Sequence, residues 1–213
     1  MRVASNRQTL SSAVFNVLQS YSSFGANGYG IYQHCPPENL HSIKEGLFTY
    51  LLTGLVDQLS SKRKALAELD SLFQEISKHC KHQSDCNFPC MSVPFGFSNI
   101  SKVTGDEKEG LLIVMILLME AVSGKGALKK ANMSGVLFHW WVHLFQEVLW
   151  YNCWMSKEEY DCKTLKTAED NVCLLLAISK VMLYRTEGYG MKIQKFHQQI
   201  HGPANIDYFG SPK

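Results

Sequence analysis

Charge is scarce in this chain. Asp, Glu, Lys and Arg make up 19% of its 213 residues and leave a net charge of +2. A nearly neutral chain has no global field to draw it to nucleic acid or to an anionic membrane. Long apolar runs are missing too. Leu111 to Met119 (LLIVMILLM) is wholly apolar, but a bilayer needs about 20 such residues. Gly135 to Met155 is long enough, yet His139, His143, Gln146 and Glu147 interrupt it, so it reads as a buried helix and no membrane contact is expected. The first residues, MRVASNRQTLSSAVF, lack the apolar core of a secretory leader. The seven cysteines are odd in number and too scattered for a disulfide scaffold. Reduced thiols and a nuclear or cytoplasmic location are expected, not secretion. Strand alternation, a repeat period, a phosphate loop, a dinucleotide fingerprint and a nucleophile elbow are all absent.

What remains is helical periodicity. Leu10, Val14, Val17 and Leu18 predict an amphipathic helix over 9–22, followed by a loop with Gly25, Gly28, Gly30 and Pro36-Pro37. Pro37-Glu38 suits a helix start. The stripe Leu40, Ile43, Leu47, Leu51, Leu55, Leu59 carries that helix to about Ser60. A second helix is predicted over 62–78. Residues 79–99, rich in Cys, His and Pro, then break the pattern. Thr104 to Glu107 matches a capping box opening an apolar helix over 106–122 that reads as core on all faces. Gly124 to Ser134 reads as a short basic linker. An aromatic helix follows over 135–155, with a second capping box at Ser156 and Glu159, and a last long helix runs from about Thr167 to Arg185. The expected fold is all-α: an irregular multi-helix bundle forming a single helical domain over 1–213. It divides into 1–34, a helical pair over 35–82, a loop over 83–103, core helices over 104–187 and a motif segment over 188–213. That last segment is dense in motif residues and reads as the middle of something, so an incomplete domain, a fragment of a larger protein, is expected.

Three constellations carry chemistry. Glu38 and His41 stand three apart on one helix, where a carboxylate can orient an imidazole. A local helix-start contact is the plainer reading. His79, Cys80, His82, Cys86 and Cys90 supply ligand-type groups in a short span, and Cys80, His82, Cys86 and Cys90 are the candidate zinc ligands, against a loop of free thiols. His197 and His201 have the spacing of the zinc-protease helix motif. Gln198 stands where the catalytic glutamate belongs, and an amide is no general base, so that chemistry is rejected. His139 and His143, flanked by Trp140, Trp141 and Phe145, read as core histidines. The aromatics of 138–154 suit core packing or a partner face, since no basic residue interleaves them as base stacking would need.

Four blocks occur in order: CPPENLHSIKEGLF (35–48), FGFSNISKVTGDEKEGLLIVMILLM (95–119), the helical run to Arg185, and KIQKFHQQIHGPANIDYFGSPK (192–213). Together they resemble the C-terminal half of transposase-like proteins from eukaryotic DNA elements of the CACTA-like and Plavaka-like type. The resemblance implies an RNase H-like core whose three carboxylates bind two divalent metals. An all-helical insertion carrying an (Asp or Cys)-x-x-His motif interrupts that core before its last acid. Glu38 and His41 fall at that motif, with Glu departing from the usual acid. Lys195, His197, His201 and Gly210 fall in the block that precedes the final acid. No strand-borne Asp precedes residue 35, and the sequence stops where the last acid is expected.

The resemblance therefore implies a helical insertion region that lacks the catalytic triad, needs no cofactor, and does not cleave DNA alone. Double-stranded DNA is the implied partner, with Lys125, Lys129, Lys130, Lys192 and Lys195 as candidate phosphate contacts. The alternative is a helical protein–protein interaction domain, self-associating or docking a partner through the aromatic helix 138–154.

Overall fold

In the computed structural model, residues 40–82, 96–157, 159–183, 196 and 199–209 are described. Among them every regular element is helical, as the sequence predicts. Helix α1 (Leu40–Phe48) is wound as a π-helix and passes directly into α2 (Thr49–Leu59). The stripe explains the winding. Four residues of α-helix advance about 400°, so a strict four-residue spacing drifts by about 40° at each step. The wider π turn takes up part of that drift. Ile43, Leu47, Leu51, Leu55 and Leu59 are all buried in consequence. The Thr49 hydroxyl marks the wide turn by donating to the Lys44 carbonyl, five residues back, at 2.8 Å.

Helix α3 (Arg63–His82) buries Ala65, Leu69, Phe73 and Ser77. It continues past the predicted end at Lys78, because no glycine or proline interrupts the chain before Pro89. Within the predicted loop 83–103, Phe97–Lys102 form a short 3₁₀ helix. Helix α4 (Gly105–Glu120) opens on the predicted capping box. Thr104 Oγ1 accepts from the Glu107 N–H, and the Glu107 carboxylate accepts from the Thr104 N–H at 2.8 Å. Most of α4 is core, but Leu117 is exposed, so its apolar surface is not buried on every side.

The predicted linker is a helix. Chain direction turns by 77° at Ala121, and α5 (Val122–Lys130) follows. Gly124 and Gly126 suggested a linker, but Gly124 is buried against the Leu118 carbonyl, where a Cβ would lie 1.8 Å away. Glycine is what lets α5 fold back this tightly. Ala127 and Leu128 then enter the core.

Helix α6 (Gly135–Met155) is capped by Ser134, whose hydroxyl accepts from the Leu137 N–H at 3.1 Å. Ser156 closes α6 instead of opening the next helix, its hydroxyl donating to the Asn152 carbonyl. The second capping box belongs to Asp161 and Thr164, and α7 (Cys162–Met182) starts there, five residues earlier than predicted. The Thr164 N–H holds the Asp161 carboxyl below the usual range. A last short helix, α8 (Gly202–Phe209), rests on α7.

One apolar cluster extends from Ile43 to Ile206. Phe138, Trp141, Phe145, Tyr151 and Trp154 of α6 lie inside it. Trp141 stacks on Phe145 and donates its indole N–H to Gln58 on α2 at 2.9 Å. The Gln58 amide in turn donates to the Met182 carbonyl at the end of α7, satisfying a helix-end acceptor. No single described helix is long and apolar enough to cross a membrane.

Candidate functional site

Among the described residues, four charged side chains meet between α1 and α4. Lys44 Nζ pairs with Glu109 at 2.7 Å, and Lys108 Nζ pairs with Glu45. Lys108 is only 2% exposed, so its ammonium depends on that carboxylate. The Asn152 amide on α6 donates to Glu109 at 3.3 Å and draws the third helix in. Partial desolvation, with Glu109 a second cause, pushes the thiol of the neighbouring Cys153 up, although the residue is exposed overall.

These residues belong to two copies of one tetrapeptide, Lys44-Glu45-Gly46-Leu47 and Lys108-Glu109-Gly110-Leu111. Each lysine reaches the other copy's glutamate, as two identical segments related by a local two-fold would pair. Gly46 and Gly110 are both buried, and both leucines are in the core. Nothing at the level of single residues marks the brace. The repeated KEGL, at the same phase of two apolar stripes, is the signal that could have found it.

Only some of the predicted site residues are described. His41 falls within α1, while Glu38 lies outside the described residues. Cys80 and His82 fall in the last turn of α3, a helix where a loop was expected, and Cys86 and Cys90 lie outside the described residues. Among the described residues no group of three or more His, Cys, Asp or Glu is placed to hold a metal ion. Lys192, Lys195, His197 and Gly210 lie outside the described residues, and His201 is exposed just before α8.

The three lysines of α5 are described. Lys125 pairs with Glu120 at 2.8 Å and stands 5.7 Å from the Phe138 ring. Lys130 pairs with Glu68 of α3 at 2.9 Å. Lys129 is exposed on the same turn. Such exposed pairs contribute under about 1 kcal/mol each, but the two carboxylates offset part of the positive field that phosphates would meet.

The aromatic helix is mainly core. Of the residues expected to form a partner face, Trp140 is exposed and Trp150 half-buried, whereas Phe138, Trp141, Phe145, Tyr151 and Trp154 point inward. His143 is half-exposed, with Nδ1 3.8 Å from Glu147, and His139 is exposed, so neither is the core histidine that the sequence suggested. The comparisons with known proteins give no match: no family model, no curated protein and no solved structure.

Proposed function

We propose that this chain is the helical insertion region of a transposase-type protein, acting as framework and DNA-contact module and not as a nuclease by itself. The reading is supported by the way the described parts of all four blocks that carry the resemblance meet in one core. The first block is braced to the second through Lys44, Glu45, Lys108 and Glu109. The fourth reaches α6 where Tyr151 donates to the Gln199 carbonyl at 3.4 Å. On this reading the KEGL segments are the structural joint of the insertion. Phosphate contact falls chiefly to Lys129, together with those lysines of 192–195 that lie outside the described residues.

Duplex DNA binding by the purified chain across a salt series tests the proposal. Weak binding that falls with salt is expected, log K dropping against log salt with a slope of about 0.9 per phosphate contacted. Lys129→Ala should reduce that slope by about one contact on every sequence tried. Failure to bind at low salt removes the DNA role.

A further inference from the structure

Helices α6 and α7 form an antiparallel hairpin, and each carries a stripe of side chains that faces away from the core. On α6 the stripe is Val136 and Trp140, both exposed, with His143 and Glu147 half-buried, and on α7 it is Asp170, Leu174, Ala177 and Val181, all exposed. Both follow a four-three-four spacing, the seam of a coiled coil. Val136 is 69% exposed, Trp140 45%, Leu174 49% and Val181 83%. Single exposed apolar residues are ordinary, but these four sit on neighbouring helices. A cavity of about 210 Å³ lies between the two helices, lined by Trp140, Ala177, Ile178, Val181 and Met182. Trp140 is therefore level with the Ala177 turn of α7.

We infer that a second copy of the chain covers this face, two hairpins meeting antiparallel as a four-helix bundle. A two-fold axis at right angles to the helices sets α7 against the second copy's α7, reversed in direction. Centred between Leu174 and Ala177, it places Leu174 opposite the second copy's Ala177, large against small. It also brings Asp170, which already contacts Lys166 at 3.3 Å, to the end that carries the second copy's Lys180 and Val181. Because Trp140 is level with Ala177, the same axis passes between Trp140 and His143. Trp140 then faces the second copy's His143, and Glu147 faces the first turn of the second copy's α6. That turn has no acidic residue of its own, and a carboxylate complements the positive end of a helix. One axis thus satisfies both stripes. The four exposed apolar side chains offer on the order of 400 Å² per copy, close to the non-polar half of a standard interface of about 800 Å² per partner.

Light scattering and sedimentation on the 213-residue chain at micromolar concentration test this pairing. The expected mass is twice that of the 24.1 kDa chain. Leu174→Glu and Val181→Asp change exposed positions, so helix content should hold while the mass falls to that of one chain. Asp170→Lys should weaken the dimer by about three- to tenfold, and adding Lys180→Asp should restore it. A wild-type monomer overturns the inference and leaves the groove to another occupant. A dimer that survives both Leu174→Glu and Val181→Asp also overturns it, by placing association on another face. Neither result bears on DNA binding, which is read separately.

Discussion

Tyr151 and Gly202 stand so close that a Cβ at Gly202 would lie 2.1 Å from the Tyr151 hydroxyl and 3.9 Å from Met155 Sδ. Tyr151 is 1% exposed, so its ring has nowhere to swing. Gly202→Ala is expected to cost about 1–3 kcal/mol, the range for overpacking a full core. In a Tyr151→Phe background the cost should shrink, because the atom that the new methyl meets is gone. Urea unfolding of the four proteins completes the cycle, and equal costs in both backgrounds would refute the contact.

Burial of the same phenol has a signature at high pH. Burial first, and Tyr160 second, raise its pKa well above the ordinary 10.0. The folded chain keeps the proton where the unfolded chain loses it. Stability should therefore be unaffected by this group below about pH 10 and fall above it, by about 1.4 kcal/mol per pH unit. Tyr151→Phe should flatten that part of the profile by one proton's worth, measured as unfolding free energy between about pH 9 and 11.

The α4–α5 corner predicts opposite outcomes for two nearby glycines. Gly124→Ala drives a methyl into the Leu118 carbonyl, which as backbone cannot step aside, and should cost about 3 kcal/mol or more. At Gly126 a Cβ meets nothing within 4 Å, so Gly126→Ala should stabilise α5 by roughly 0.5–1 kcal/mol. Thermal melts of the two variants should move to opposite sides of the parent. Destabilisation by both would mean that α5 is not the helix described.

Glu45→Gln leaves the buried Lys108 ammonium without its carboxylate and should cost about 3 kcal/mol. Lys108→Met added to Glu45→Gln should recover most of that loss, since an apolar chain replaces the stranded cation. A melting temperature that stays low in the double variant would show that the pair is not where the cost arises.

Helix periodicity was the legible part of this chain. The stripe ending at Leu59, the Thr104 box and the aromatic run of α6 each declared an element, because each rests on local spacing. The sequence misled where a distant contact decided the outcome. Two glycines in 122–130 read as a linker, yet the approach of Gly124 to the Leu118 carbonyl makes them part of a helix. Ser156 and Glu159 matched a cap on paper, but Asp161 sits closer to the apolar register of α7 and takes that role. The candidate site was less legible. Of the metal-type residues clustered in sequence, Cys86 and Cys90 lie outside the described residues, while the brace pairs residues 63 or more positions apart. The inward aromatics of α6 followed from composition, whereas the exposure of Trp140 depends on how α7 covers α6.

The paired KEGL segments have a consequence for how this sequence can change over generations. A shift of one residue between α1 and α4 would set Lys44 beside Lys108, so the four charges act as a lock on alignment. Loss of any one is penalised until its counterpart changes with it. Substitutions at 44 and 109, or at 45 and 108, should therefore reach related chains in couples, with sign reversal of a whole pair tolerated and reversal of one member rare.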